Sequence, residues 1–144
     1  MDRVAIIPAR GGSKRLPRKN VLPILGKPML TYPIQAAQKS EMFDRIIVST
    51  EDEEIKQVAS EAGAEVFQRP GELAEDRAQV VQVCKHTLDV LMEQNEQPEF
   101  FCCIYATAIF IKTEDLINSY QLFKHDPKPD VVMGVSEFNL QPMQ

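Results

Sequence analysis

Apolar positions along the chain fall into two alternating patterns, short continuous runs and stretches spaced at three and four residues. Val4-Ala5-Ile6-Ile7 is a continuous run closed by Pro8, which suits a strand buried on both faces. A polar segment, 9–27, follows, and then a helical spacing over about 29–40. Pro33 sits inside that spacing. In a helix interior it would cost ~3 kcal/mol, so it marks either the first turn or a kink. Ile46-Ile47-Val48-Ser49-Thr50 reads as a second strand. Glu51 to Glu54 are acids suited to a helix N-terminus, and Ile55, Val58, Ala59 and Ala62 continue at helical spacing up to Gly63, a left-handed stop. Ala64-Glu65-Val66-Phe67 predicts a third strand, and 77–94 a longer helix with Val80, Cys84, Leu88 and Leu91 on one face. Phe100 to Tyr105 predicts a fourth strand. Thr113 is placed to cap a helix carrying Leu116, Ile117, Tyr120 and Phe123, and 130–135 predicts a further strand.

Strands alternating with helices imply one α/β domain over 1–144, with a mostly parallel sheet and helices on both faces. In such sheets ligands bind outside the carboxyl ends of the strands, near a topological switch point. The segment 9–27 leaves the carboxyl end of the first strand, so its residues are the first place to look for chemistry.

Composition narrows the class. With 44% hydrophobic and 26% charged residues, the 144-residue chain is an ordinary globular domain, not collagen-like, mucin-like or disordered. A domain this long buries roughly two-thirds of its unfolded surface. No apolar run approaches the ~20 residues of a membrane span, and the first 30 residues lack a signal-peptide core, so a cytoplasmic protein with no membrane partner is expected. The net charge of -5 argues against a nucleic-acid partner. That total hides an asymmetry. Residues 1–28 hold seven Lys and Arg against one acid, a formal +6; the rest hold nine against twenty, or -11.

Cys84, Cys102 and Cys103 include no CxxC pair, and only His86 and His125 could join them. This argues against a zinc site and a disulfide framework, leaving three small buried hydrophobes.

The segment 8–20 reads Pro-Ala-Arg-Gly-Gly-Ser-Lys-Arg-Leu-Pro-Arg-Lys-Asn. Gly11 and Gly12 allow successive N–H groups to converge on an anion, and Ser13 adds a hydroxyl donor. Arg10, Lys14, Arg15, Arg18 and Lys19 place five cations within ten residues, and a polyphosphate would offset their mutual repulsion. The spacing is neither a Walker A loop nor G-x-G-x-x-G. The plainer alternative is a solvated basic loop with turn glycines. The position after strand one favours the anion site.

The same segment, preceded by Ile6-Ile7, resembles the N-terminal signature of the acylneuraminate cytidylyltransferases, the CMP-sialic acid synthetase family. Further matches follow in order: 25–28, 34–37, 43–50, 63–66 and 69–76, so the resemblance covers essentially the whole chain. Cys103-Ile104-Tyr105-Ala106-Thr107-Ala108 and the ending 137–144 look like the branch that activates pseudaminic acid. Tyr105 stands where sialic acid synthetases typically carry glutamine.

The resemblance implies a three-layer Rossmann-like fold of the nucleotide-diphospho-sugar transferase type. It also implies transfer of CMP from CTP to a nine-carbon acidic sugar, with magnesium and release of pyrophosphate. Arg10, Gly11, Gly12, Ser13, Lys14, Lys19 and Asn20 would then bind the nucleotide, with Arg10 and Lys19 neutralising charge on the α-phosphate and departing pyrophosphate. Arg69 would hold the cytosine end, unless it is a surface cation before a turn proline. Tyr105 and Thr107 would contact the sugar, or Thr107 would simply end a strand. Asp76 is read as the cap of the next helix rather than a metal ligand.

Ile109 stands where the family usually has proline. The family's metal-binding aspartates and its usual homodimer segment lie beyond the position of Gln144. The chain is therefore read as the nucleotide-binding part of a longer pattern, with its C-terminal part missing and no metal ligand of its own. Weak CTP binding and little or no turnover are expected of it alone. A catalytically inactive CTP-binding module and a nucleotidylyltransferase for another sugar are the competing readings.

Overall fold

A computed structural model describes residues 2–125 and 127–137. Four strands make one sheet: β1 (Arg3–Pro8), β4 (Arg45–Thr50), β5 (Glu65–Gln68) and β6 (Phe100–Cys103), in the order β5-β4-β1-β6 and all parallel. Two-residue strands β2 (Pro23–Ile24) and β3 (Lys27–Pro28) form a separate hairpin inside the basic segment. The helices are α1 (Thr31–Ser40), α2 (Glu53–Glu61), α3 (Val80–Glu93) and α4 (Thr113–Phe123). None among the described residues is long and apolar enough to cross a membrane.

Alternation along the central strand divides the core. Ala5 and Ile7 pack with Leu30, Ile34, Ile55, Ala59 and Leu116 beneath α1, α2 and α4. Val4 and Ile6 turn to the other face, against Cys84 and Leu91 of α3. Each such aliphatic side chain, removed from water, contributes roughly 1.5–3 kcal/mol. The chain leaves β1 toward β4 and β5, then returns through α3 to place β6 on β1's other side. The order therefore reverses beside the carboxyl end of β1, where the basic segment begins.

Local chemistry explains most boundaries. Pro33 lies in the first turn of α1, where a missing N–H costs nothing. Asp52 caps α2, its carboxylate accepting the Ile55 N–H at 3.0 Å, and Gly63 takes a left-handed φ of 87° after the helix.

Four expectations are corrected. The helix expected from 77 starts at Val80, because Gln79 stays extended and the Gln82 side chain accepts its N–H at 2.9 Å. Asp76 is not its cap. Lys112, not Thr113, holds the N-cap position of α4, with Asp115 accepting the Lys112 N–H. The fourth strand stops at Cys103 rather than Tyr105, since residues 104–111 coil into short turns. Finally, the strand expected at 130–135 does not form: β6 pairs with β1 along one edge, and no described strand lies beside this run. The branch-like ending 137–144 lies, from 138 on, outside the described residues.

Candidate active site

A cleft of about 210 Å³ opens at the carboxyl ends of β1 and β6. That is below the ~300–1,000 Å³ of typical small-molecule sites, so it would seat part of a ligand and leave the rest over its open mouth. Arg10, Ser13, Lys19 and Asn20 line it from the basic segment, Arg69 from the turn after β5, and Tyr105 and Thr107 from the turn after β6. Val80 and Val83 of α3 complete one wall. Seven predicted residues from three separate stretches thus converge. Gly11, Gly12 and Lys14 do not line the cleft.

The basic loop is held by acids rather than left open. The Gly11 N–H donates to Glu51 Oε1 at 2.7 Å, so it does not point at an anion. Asp52 passes so close that a Cβ on Gly11 would sit 2.5 Å from its Oδ2, and this close approach is why glycine stands there. Gly12 has open space around it and no such requirement.

Arg18, with a left-handed φ of 56°, forks onto both Asp52 oxygens at 2.6 and 2.8 Å and reaches Glu54 at 2.6 Å. Its guanidinium holds the Asp52 carboxyl down to about 2, against the cost of partial burial. Arg18 is therefore a strut between the loop and α2. Asn20 is the clasp at the loop's far end: its Nδ2 donates to the Arg10 carbonyl at 2.9 Å, while its own carbonyl accepts from Leu30.

Asp76, expected as a helix cap, is instead the counter-ion of the site. Its carboxylate takes Lys14 Nζ on one oxygen and Arg10 Nη1 on the other, both at 2.5 Å. The bond from Lys14, then that from Arg10, hold its carboxyl below the usual range. Lys19 has no carboxylate within ion-pair distance among the described residues, so its charge faces the cleft unneutralised.

Arg69 is only 4% exposed. Nη2 donates to the Ser49 carbonyl at 2.9 Å, Nη1 reaches the Leu73 carbonyl at 3.5 Å, and Nε has no partner. Burial works against its charge and lowers its pKa, with the Glu51 carboxylate opposing that effect. Ser49 Oγ and Glu51 Oε2 are also buried without a partner. Arg69 thus ties the end of β4 to the turn after β5 and lines the cleft from there.

Tyr105 stands 61% exposed at the rim. Ile109, where the resembled family has proline, donates its N–H to the Thr107 carbonyl at 2.8 Å. A proline could not make that bond, so the departure belongs to the way this turn is built. Among the described residues no three His, Cys, Asp or Glu side chains gather to hold a metal ion.

Glu51, Asp52 and Asp76 were not read from the sequence as site residues. The first two lie in an acidic run that also suits a helix start, and only their return to positions 11 and 18 in space reveals the second use.

Comparison with known proteins agrees with this geometry. The cytidylyltransferase family model matches residues 4–141. The pseudaminic acid cytidylyltransferase of Campylobacter jejuni is 42% identical over 124 residues, covering 85% of this chain and 53% of that protein. The N-acylneuraminate cytidylyltransferase of Escherichia coli is 38% identical over 136 residues, covering 94% of this chain and 32% of that protein. The chain thus spans between a third and about half of the length of these two relatives. A solved CMP:2-keto-3-deoxy-manno-octonic acid synthetase, complexed with CTP, superposes with a TM-score of 0.73. At 24% identity, over 88% of this chain and 49% of that one, it shows the shared fold. A basic loop leaving the first strand into a polar cleft, and a family match across nearly every residue, place the chain in the cytidylyltransferase family.

Proposed function

We propose that this chain forms the CTP-binding part of an enzyme that transfers CMP from CTP to the anomeric hydroxyl of a nine-carbon acidic sugar, releasing pyrophosphate. The observation that carries the proposal is the convergence of Arg10, Lys19 and Arg69 on one cleft at the switch point of the sheet.

In this reading the triphosphate lies along the basic loop. Lys19, with no carboxylate partner among the described residues, meets the phosphate first. Arg10 joins it by exchanging Asp76 for phosphate oxygens. As the sugar hydroxyl attacks the α-phosphate and the bond to pyrophosphate breaks, negative charge moves onto the leaving group. Cations fixed beside it stabilise that charge more than the bound substrate, which is what catalysis needs. Arg69, which lines the cleft, faces the base or ribose. Tyr105 and Thr107, at the opposite rim, face the acceptor sugar. The similarity to the Campylobacter relative supports pseudaminic acid as that sugar.

Calorimetric titration with CTP, UTP, GTP and ATP tests the nucleotide. A clear preference for CTP is the expected result. Equal, weak binding of all four would reduce the site to a general polyphosphate loop.

A further inference from the structure

β1 and β6 pair with Ile6 opposite Cys103. Partners across parallel strands present their side chains on the same face, and successive residues on opposite faces. Ile6 is buried against Cys84 of α3, so Cys103 emerges on the α3 side of the sheet. Cys102, one residue earlier, packs into the opposite core beneath α1 and α4. The Cys84 and Cys103 side chains therefore share the space between β6 and α3, near enough for each thiol to act on the other's ionisation. Cys84 is buried, whereas Cys103 is exposed at the end of an edge strand.

A small hydrophobe in the core accounts for Cys84 and Cys102. It does not account for Cys103, which is open to solvent and faces a second thiol. An accessible sulfur beside a sheltered resolving sulfur is how oxidation-sensing pairs are built.

We propose that Cys103 and Cys84 are an oxidation site at which a hydroperoxide closes a reversible disulfide between β6 and α3. The Cys103 thiolate attacks the terminal peroxide oxygen. The O–O bond breaks, and the alcohol, or water from hydrogen peroxide, leaves after taking a proton. The Cys103 sulfenic acid formed is then attacked by the Cys84 sulfur. The S–S bond forms as the sulfenic oxygen departs as water, taking the Cys84 proton. Two thiols are oxidised by two electrons and one peroxide is reduced.

The surroundings favour that order of events. The neighbouring Cys84 thiol brings the Cys103 thiol below its ordinary value, while Cys103 and burial push Cys84 up. The Arg69 guanidinium acts on Cys84 in the opposite sense but more weakly, so Cys84 stays a thiol until its proton leaves with the sulfenic oxygen. By contrast, Cys102 is pushed up to about 11, chiefly by burial, and stays unreactive.

The bond would join two walls of the cleft already described. Val83, next to Cys84, lines it from α3, and Tyr105, two residues past Cys103, lines it from the rim.

The test exposes the chain to a small excess of hydrogen peroxide, blocks remaining thiols by alkylation, and maps peptides without reduction. The expected result is one alkylated cysteine, Cys102, and a Cys84–Cys103 cross-linked peptide that dithiothreitol reverses. Cys102→Ser should form the same cross-link. Cys84→Ser should yield a dimedone adduct on Cys103 and no cross-link. Three alkylatable thiols after oxidation would overturn the proposal. So would a Cys102–Cys103 bond, or a Cys103 sulfinate with Cys84 still free. The mapping is done on the unmodified sequence, so the result stands even where a variant fails to fold.

Discussion

The carboxylate of Glu51 accepts the Gly11 N–H at 2.7 Å, tying the start of the basic loop to the end of β4. The loop's shape is therefore set across forty residues of sequence by an acid. Glu51→Ala leaves that amide without its acceptor and should cost about 1–2 kcal/mol. Glu51→Gln keeps a carbonyl oxygen in place and should cost less. Amide hydrogen exchange at Gly11 checks this: protection should survive in the glutamine variant and fall in the alanine one.

The two loop glycines should respond differently to alanine. At Gly11 a Cβ meets Asp52, which cannot move away because Arg18 and the Ile55 amide hold it. Overpacking of this kind costs about 1–3 kcal/mol, visible as a lower melting temperature. Gly12→Ala meets nothing and should melt within error of the parent.

The Arg18–Asp52 pair makes a pH-dependent contribution to stability. Asp52 titrates near 2 when folded and near 3.8 when unfolded. Its stabilisation is therefore fully present above about pH 4 and lost as the pH falls through 2. The guanidinium is partly exposed, so solvent screens the pair and about 0.5–1 kcal/mol is a fair magnitude. Asp52→Asn keeps a capping oxygen for α2 but loses the charge. The difference in denaturation midpoint between parent and variant should shrink from pH 6 to pH 2.

Lys19→Ala should weaken CTP binding by about 1–3 kcal/mol, roughly 10- to 100-fold. Arg10→Ala should weaken it less. Part of the Arg10 charge is spent on Asp76 before any nucleotide arrives, so its net gain on binding is smaller. Calorimetry on both variants gives the order, and the reverse order would contradict the assigned roles.

Asp76→Asn frees Arg10 and Lys14 together. CTP affinity should rise several-fold, and the rise should fade at high salt, where exposed pairs contribute little in either form. Unchanged affinity at low salt would show that Asp76 does not compete with phosphate.

How much of this could be read in the sequence depended on the range of the interaction. The alternating architecture, the buried β1 and the convergence of Arg10, Lys19, Asn20 and Arg69 followed from local periodicity and from resemblance. The β2–β3 hairpin did not. Its turn uses Leu25 at a left-handed φ of 48° before Gly26, a place where Asn or Asp is the usual signal. The division of the cations was equally hidden. Five were visible within ten residues, but which of them is a strut and which is paired depends on acids at 52, 54 and 76. The strand expected at 130–135 failed for the opposite reason. Its residues have the right local pattern, but a strand exists only with a neighbour.

That last segment decides how the chain behaves in bulk. Val131, Met133 and Val135 are 70–87% exposed, with no proline and no charge between 131 and 135. Backbone amides there have no ladder to join, and their side chains suit cross-strand stacking. Among the described residues, this run is therefore the stretch best suited to pairing with a second chain. Met133→Lys would put a charge in the middle of that run and oppose such pairing.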